Sequence, residues 1–200
     1  FMNIKITGKE LKATEAIKNG LEPLAKIIMS FPIKLNDVEK FLNDNVKTKE
    51  EAIIGAKYII AEWISDNAYY RKSVRQFTYH NGIITSKKKK NAEDVNKVYE
   101  MYYDYKEAVK YVKPHRILAM NRGEKEKILT INIDVDKDKI ISYLEGKIIK
   151  DEKSKATPVV KMAILDSYKR LIQPSIEREI RSELSEKAEE VAIDNFGKNL

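Results

Sequence analysis

Hydrophobic positions along most of the chain recur every three or four residues, the spacing of amphipathic helices. In residues 48–67 apolar side chains cover most sides of the predicted helix. Such a helix is typical of the centre of a hydrophobic core. Thr48 and Glu51 have the spacing of a capping box at its start. Two further helices are predicted around it, one ended by Gly20 and one within residues 32–45.

The C-terminal part predicts two helices that meet at a proline. Thr157 and Pro158 have the pattern of a cap followed by the first helical residue, so a helix is predicted over residues 159–173. Pro174 then predicts a break or a kink. Residues 175–196 carry one narrow apolar stripe among many charges, which indicates a long helix packed on one side only.

Two segments have the pattern of strands. The Asn-Gly pair at 81–82 indicates a turn after a helix, and a short strand is predicted directly after it, at 83–86. Residues 127–135 alternate between apolar and polar positions, as a half-buried strand does. Between these strands, Pro114 predicts the start of a helix and Gly123 predicts the turn that ends it.

These patterns define the expected fold class. We expect a mainly α, multihelical fold with one or two short β-strands, near 83–86 and 127–134, which can pair across the intervening helices, and a long C-terminal helix. Two hundred residues with 42% hydrophobic content suffice to bury a core. The expected division is a helical N-terminal region over 1–156, which contains the short strands, and a helical segment over 157–200 that leads towards a following domain.

Charge changes this picture because the net formal charge of +7 is concentrated in residues 67–92. That segment contains no acidic residue, and its basic residues account for the whole excess: Arg71, Lys72, Arg75, Lys87, Lys88, Lys89 and Lys90. A concentrated basic patch is typical of a nucleic-acid binder, since phosphate contacts release counterions. The alternative is a solvated lysine loop with no ligand.

Tyrosine is concentrated in residues 94–112, next to the lysine run. The five tyrosines are Tyr99, Tyr102, Tyr103, Tyr105 and Tyr111. Exposed tyrosines stack on unpaired bases, so the cluster is a candidate platform for a single strand. Packing in a core or an interface is the alternative use of such side chains.

The stretch 115–127 places His115, Arg116 and Arg122 around an Asn-Arg-Gly sequence. His115 with Arg116 is a candidate phosphate site or acid-base pair, and Arg122 beside Gly123 is a candidate anion contact. The alternative for each is a role in holding a helix end, with the arginines bonded to carbonyls or acidic neighbours.

Several chemistries are excluded by residue content. The chain has no cysteine and only two histidines, so it offers no thiol nucleophile, no thiolate metal site and no three-histidine metal site. Glycine-rich phosphate loops, nucleophile elbows and EF-hand patterns are absent. We expect no catalytic residue, no metal, no cofactor and no enzymatic activity. Since no apolar run approaches the length of a membrane span, we expect a soluble, cytoplasmic protein without a membrane partner.

Four blocks of the chain carry a family resemblance. They are GLEPLA (20–25), GAKYIIAEWISDNAYYRK (55–72), YYDYKEAVKYVKPHRILAMNRGEKEKIL (102–129) and LIQPSIEREIRSELSEKAEEVAIDNFGKNL (171–200). They resemble the N-terminal region of the Tex family of bacterial transcription accessory proteins. The last block is the most specific. The resemblance implies that the His115 to Gly123 block is family scaffold without a catalytic role.

The resemblance also implies what lies outside this chain. Tex-like proteins are multidomain, with a ribonuclease-H-like domain, helix-hairpin-helix elements and a C-terminal OB-fold domain of the S1 type that binds RNA. Their nucleic-acid binding is expected mainly from that C-terminal part. We therefore expect this chain to be a fragment of such a protein, in which Met2 need not be the native initiator and the chain continues beyond Leu200.

The leading functional expectation is a non-catalytic helical scaffold region of a nucleic-acid-binding transcription accessory protein. The expected partners are RNA or DNA, mainly through domains absent from this chain, and the transcription machinery. The alternative is a protein-protein interaction module that contacts the transcription machinery or the missing domains and makes no nucleic-acid contact of its own. Candidate nucleic-acid-binding residues are Arg71, Lys72, Arg75, Lys87, Lys88, Lys89, Lys90, Arg116 and Arg122.

Overall fold

The computed structural model describes residues 11–198. The sequence expectations about Met2 and about continuation beyond Leu200 concern residues outside that range. The α-helices are α1 (Leu11–Lys18), α2 (Glu22–Met29), α3 (Lys49–Asp66), α4 (Ala68–Asn81), α5 (Pro114–Lys125), α6 (Lys137–Ile148), α7 (Thr157–Asp166) and α8 (Gln173–Lys198). Short 3₁₀ helices lie at Val38–Phe41, Glu100–Tyr102 and Val109–Tyr111, and a π-helical turn lies at Ser167–Ile172. The expectation of a mainly helical fold with a long C-terminal helix is confirmed.

A small antiparallel sheet is made of β1 (Ile83–Lys88), β2 (Asp104–Ala108) and β3 (Leu129–Asp134), with β1 in the centre. Ser86 of β1 pairs with Tyr105 on one side and with Ile131 on the other. Pairing between the two predicted strands is confirmed. Strand β2 was not predicted, because it is an edge strand of five residues whose acidic and basic positions give a weak strand signal.

The described part of the chain forms two compact units. Unit 1 contains the residues up to Arg71 together with Asp138–Pro174. Unit 2 contains Lys72–Lys137 together with the residues from Ser175 onwards, and so it holds the whole sheet. The domain division at 156 and 157 stays a prediction.

The core of unit 1 is built around α3, as its pattern predicted. Helices α1, α2 and α7 all contact it. Its buried apolar residues are Ala52, Ala56, Ile59, Ile60, Ala61 and Ile64. The Thr48 hydroxyl accepts a hydrogen bond from the backbone N–H of Glu51 at 3.1 Å, and the Glu51 carboxylate accepts one from the backbone of Lys47 at 2.8 Å. The hydrogen bond to the Thr48 hydroxyl confirms the predicted cap of α3. In a capping box the Glu51 carboxylate would accept from the backbone of Thr48, but here it accepts from the backbone of Lys47.

Other predictions about where the helices of unit 1 begin and end were confirmed in part. Gly20 follows α1 with a φ of +81°, the left-handed conformation expected of a helix-ending glycine. The helix predicted within 32–45 was wrong in extent, since only the single 3₁₀ turn Val38–Phe41 forms and the Asp37 side chain makes no capping bond. Thr157 is the first residue of α7 rather than its cap, and its hydroxyl donates to the Asp151 carbonyl at 2.5 Å.

In unit 2, the inner face of β3 packs against α5. Leu129, Ile131 and Ile133 alternate on that face and are buried, as the two-residue period predicted. The prediction that Gly123 ends the helix was wrong, because α5 continues to Lys125. The glycine is needed for space: a Cβ at this position would meet the side chains of Leu129 and Tyr99.

Helix α8 packs along one side, as its narrow stripe predicted. Ile176, Ile180 and Ala188 are its buried apolar residues. The Glu177 carboxylate accepts a hydrogen bond at 3.2 Å from the backbone N–H of Ile133, and so α8 satisfies one donor on the open edge of β3.

The predicted break at Pro174 takes the form of an irregular turn. Helical winding continues through Pro174, but the turn directly before it, Ser167–Ile172, is π-helical. Proline lacks the N–H that would bond to the carbonyl four residues earlier, and its ring crowds that carbonyl. That carbonyl belongs to Arg170, which lies inside the π turn.

Candidate nucleic-acid interface

The lysine run lies at the end of the central strand of the sheet. Lys87 and Lys88 are the last residues of β1, and so their side chains point to opposite faces of the sheet. The backbone N–H of Lys88 donates to the Tyr103 carbonyl at 3.0 Å, and that of Lys89 donates to the Ile128 carbonyl at 2.7 Å. All four lysines are exposed. Strand pairing therefore holds the backbone in place while the charges remain in solvent.

Two further lysines lie where α5 leads into β3, and β3 begins where β1 ends. Lys127 precedes Ile128, whose carbonyl receives the Lys89 hydrogen bond, and Lys125 ends α5. Lys127 has a φ of +62°, a conformation that costs a non-glycine residue about 1–2 kcal/mol. Neither lysine was identified from the sequence, because each alternates with glutamate. The register of β1 against β3 brings Lys127 to Lys89.

We call this cluster the basic end of unit 2. It consists of Lys87, Lys88, Lys89, Lys90, Arg122, Lys125 and Lys127, all of them exposed. Arg122 belongs to it because its charge acts on the hydroxyl of Tyr99, which packs over Gly123. Glu126 is also there and is hydrogen-bonded to Tyr99. The cluster is thus strongly basic, with the carboxylates of Glu126 and Asp94 beside it.

Asp94 organises the loop that follows the lysines. Its carboxylate accepts hydrogen bonds from the Tyr103 hydroxyl at 2.7 Å and from the backbone N–H groups of Tyr99 at 2.8 Å and Val98 at 3.1 Å. Burial raises the pKa of Asp94, but these bonds and the charge of Lys88 outweigh burial, so the net pKa is lowered. The same hydrogen bond, assisted by burial, raises the pKa of Tyr103 to about 12.

Lys88 differs from the other three lysines of the run. Its ammonium lies 5.8 Å from the centroid of the Tyr103 ring and interacts with Asp94. Lys87, Lys89 and Lys90 form no ion pair with any residue that the structure describes. These three cations therefore remain available to an anion.

Arg116 lies on α5 and is held by other side chains of unit 2. Its guanidinium is 3.1 Å from the Glu107 carboxylate and 3.0 Å from the Tyr105 hydroxyl, and the Tyr105 hydroxyl donates to the same carboxylate. The hydrogen bond that Arg116 donates to Glu107, together with the charges of Tyr105 and Glu107, raises the pKa of Arg116. This arginine is mostly buried beside the sheet, and its contacts are those of a structural ion pair.

None of the three basic residues of α4 belongs to the basic end. Arg71 belongs to unit 1, where its guanidinium donates to the Ser65 carbonyl at 3.3 Å. Arg75 is 2.5 Å from the Glu183 carboxylate of α8. Lys72 is exposed and, with Arg75, lines a groove that contains none of the basic-end residues. The charged segment of the sequence is thus divided between separate places in the fold.

The tyrosine cluster does not form one surface. Tyr99 and Tyr102 are core residues, 3% and 7% exposed, whereas Tyr111 is 69% exposed. Tyr103 and Tyr105 are half-buried and hold Asp94 and Glu107. Packing therefore accounts for most of the cluster, and the five rings are not arranged as a continuous stacking platform.

Neither a metal cluster nor a membrane-spanning helix is present in the described residues, 11–198. Within that range, no group of three or more histidine, cysteine, aspartate or glutamate side chains is arranged to hold a metal ion. None of the helices in the same range combines the length and the apolar character that crossing a membrane requires.

Comparison with known proteins places this arrangement in a family. The model described as "Tex central region-like" matches residues 35–196, which is most of the chain. The chain belongs to the Tex family. The sequence resemblance had placed it in the N-terminal region of Tex, whereas the matching model is described as the central region.

Individual relatives agree with this assignment. YdcI of Bacillus subtilis is 50% identical over 198 residues, which cover 96% of this chain and 28% of that protein. The transcriptional accessory protein Tex of Neisseria gonorrhoeae is 27% identical over 96% of this chain and 26% of its own length. The human S1 RNA-binding domain-containing protein 1 is 28% identical over 98% of this chain and 21% of its own length. The chain thus spans about a quarter of the length of the curated relatives that it matches.

Proposed function

We propose that this chain is a non-catalytic helical scaffold region of a Tex-like transcription accessory protein, and that its basic end contacts nucleic-acid phosphates. Membership of the Tex family supports the scaffold role, and relatives named for transcription and for S1 RNA binding support nucleic acid as the partner. In this proposal most of the affinity of the whole protein comes from its other domains. RNA and DNA are both candidate partners.

The observation that carries the proposal is that three lysines at the basic end are exposed and unpaired among the described residues. Lys87, Lys89 and Lys90 are exposed and form no ion pair among the described residues. Strand pairing fixes the backbone of Lys87, a hydrogen bond to Ile128 holds that of Lys89, and Lys90 lies in the turn that follows. Phosphate contact by such lysines releases counterions and does not require the backbone to become ordered first. Arg116 is assigned a structural role in the proposal, because Glu107 already holds it.

The test is fluorescence anisotropy of a labelled single-stranded RNA and a DNA duplex across a salt series. The test variant changes Lys87, Lys88, Lys89 and Lys90 to alanine. The control variant changes four exposed lysines of unit 1 to alanine, namely Lys26, Lys34, Lys153 and Lys155. Both variants lose the same charge, so only the position of the loss differs between them.

We expect the wild-type chain to bind with an affinity that falls as salt rises. Each lost phosphate contact lowers the slope of log affinity against log salt by about 0.7 on a single strand and about 0.9 on a duplex. The test variant should show weaker binding and a shallower slope, while the control variant keeps the wild-type slope. Equal losses in the two variants, or no binding even at low salt, would contradict the proposal.

The second candidate function is a protein-interaction module, and the exposed apolar residues of α8 favour it. Ile193 and Phe196 are each 70% exposed, and Val191 is 41% exposed. A module of this kind would bind its protein partner without a counterion-release slope. Absence of nucleic-acid binding in the anisotropy test, together with salt-independent binding of the remaining Tex domains, would favour this function.

A further inference from the structure

A groove of about 400 Å³ lies within unit 2, between α4 and α8. One wall is formed by Lys72, Gln76, Tyr79 and His80 of α4, and the other by Glu183 and Lys187 of α8. The α4 residues lie on one face because they are four, seven and eight positions apart along the helix. The volume is within the range of small-ligand sites, which runs from about 300 to 1,000 Å³.

The single carboxylate in the lining is already neutralised. Glu183 binds Arg75 through one oxygen at 2.5 Å and Lys187 through the other at 2.9 Å. The hydrogen bond from Lys187 and the charges of both cations outweigh burial and lower the pKa of Glu183. Glu179 lies farther from Arg75, at 3.9 Å. The groove therefore combines one satisfied carboxylate with three cations, of which Lys72 and Lys187 are exposed.

Aromatic and amide groups complete the lining. The Tyr79 and His80 rings meet edge to face, with centroids 5.4 Å apart and planes 89° apart, so that they present faces in two directions. The exposed Gln76 precedes them by one turn and supplies both a donor and an acceptor. Aromatic faces stack on bases, an amide bonds to base edges and lysines bind phosphate. These are the three recognition elements of a nucleotide.

We infer that this groove binds one nucleotide of a single-stranded nucleic acid, with its phosphate between Lys72 and Lys187 and its base on Tyr79 or His80. The inference extends the proposed function to a second site, since none of the groove residues belongs to the basic end. Arg75 is a positioning residue in this scheme, because it shares the Glu183 carboxylate with Lys187, whose ammonium has three N–H donors and can donate to a phosphate as well.

The two histidines of the chain provide a direct test. His80 lines the groove, and His115 is exposed on α5 outside it, so their ring proton signals in an NMR spectrum act as probe and internal reference. A His115→Gln variant assigns the two signals. At fixed pH the protein is titrated with AMP, UMP, adenosine and inorganic phosphate. We expect the nucleotides to shift the His80 signal saturably while the His115 signal stays in place.

The ligand set separates the possible sources of binding. Adenosine and phosphate should each shift the His80 signal less, and with at least about tenfold weaker affinity, than AMP, because each supplies only part of the contacts. An equal response to phosphate alone would overturn the assignment of a nucleotide. A His80 signal that does not move, or that moves together with the His115 signal, would overturn the site itself.

Variants show which side chains carry the binding. Lys72→Ala combined with Lys187→Ala should weaken AMP binding about tenfold or more, while Lys26→Ala combined with Lys34→Ala should not change it. The variant with all four lysines of positions 87–90 changed to alanine should leave the AMP titration unchanged. This variant also distinguishes the two proposals. If AMP binds normally but the loss of lysines 87–90 does not weaken RNA binding, only the proposed function is contradicted. If the loss of these lysines weakens RNA binding but AMP does not bind, only the groove site is contradicted.

Discussion

A Cβ atom on Gly123 would lie 2.7 Å from Cγ of Leu129, and closer still to its Cδ1. Helix α5 and strand β3 are therefore in contact at a point where only glycine fits. Leu129 is fully buried, so it cannot move aside without disturbing the core. We expect Gly123→Ala to lower the free energy of unfolding by about 1–2 kcal/mol, since overpacking costs about 1–3 kcal/mol and exceeds the gain in helix propensity. Urea unfolding measures this difference.

Gly146 provides the matched control for that substitution. It also lies inside a helix, α6, but a Cβ there would meet nothing within 4 Å. Alanine should therefore stabilise the protein at this position by about 0.5–1 kcal/mol. Opposite signs for the two glycines are the expected result. A stabilising Gly123→Ala would mean that Leu129 can be displaced freely and that the close contact has no structural cost.

The ion pair between Arg116 and Glu107 predicts a structural rather than a ligand-binding effect. Both side chains are mostly buried, 28% and 19% exposed, so truncating the arginine leaves a carboxylate with one partner fewer in a poorly solvated place. We expect Arg116→Ala to lower the free energy of unfolding, and by more than Arg122→Ala does. Arg122→Ala, at an exposed position, should cost less than about 0.5 kcal/mol.

Nucleic-acid affinity gives the second half of the same experiment. Under conditions where both variants are folded, Arg122→Ala should reduce the affinity and the salt slope slightly, while Arg116→Ala leaves them unchanged. An Arg116→Ala variant of normal stability with weakened binding would assign Arg116 to the interface after all.

The hydrogen bond between Tyr103 and Asp94 predicts a dependence of stability on pH at both extremes. The pKa of Asp94 is lowered from 3.8 in the folded protein, so its stabilising contribution is present above that value and is lost as the pH falls through the lower folded pKa. The pKa of Tyr103 is raised from 10.0 to about 12, so its contribution is present below 10.0 and is lost as the pH rises towards 12.

Tyr103→Phe tests both limbs because it removes the shared bond. The difference in unfolding free energy between wild type and variant should be constant near neutral pH and should shrink in acid and in alkali. A spectrophotometric titration adds an independent readout: the difference between the two proteins should show one tyrosine that ionises near 12 rather than 10. A Tyr103 that ionises together with the exposed tyrosines would show that the bond to Asp94 does not persist in solution.

The parts of the fold that depend on local pattern could be predicted from the sequence. The capping of α3 by Thr48, the alternating burial of β3 and the one-sided packing of α8 all follow from spacing within a single segment. The role of Gly123 could not be predicted, because a glycine near a helix end has the same sequence pattern whether it ends the helix or admits a neighbouring side chain. Only the position of Leu129 distinguishes the two.

In the candidate site, too, some features could be predicted from local sequence and others depend on contacts between distant residues. The charge of the lysine run is evident in the sequence, but the commitment of Arg75 to Glu183 joins residues more than a hundred positions apart. Lys127 could not be identified from the sequence, because its place beside Lys89 depends on the register of β1 against β3. Contacts between distant segments therefore decide which cations remain available, and sequence spacing does not contain that information.

Lys127 provides the last prediction, because its backbone strain and its charge can be changed separately. With a φ of +62°, it pays about 1–2 kcal/mol for the left-handed conformation, whereas glycine does not. Glycine loses more chain entropy on folding, which costs about 0.5–1 kcal/mol. Lys127→Gly should therefore leave the stability unchanged or raise it by up to about 1 kcal/mol relative to Lys127→Ala, which keeps the strain.

Both Lys127 variants remove the same cation, so they should weaken nucleic-acid binding equally if the basic end contacts phosphate. Thermal unfolding and anisotropy on the two variants separate the effects: stability should differ between them, and the reduction in salt slope should not. If the glycine variant alone lost affinity, the strained backbone rather than the ammonium group would be what matters at the basic end. If neither lost affinity, Lys127 would lie outside the phosphate contact, and the interface would be confined to the lysine run of β1.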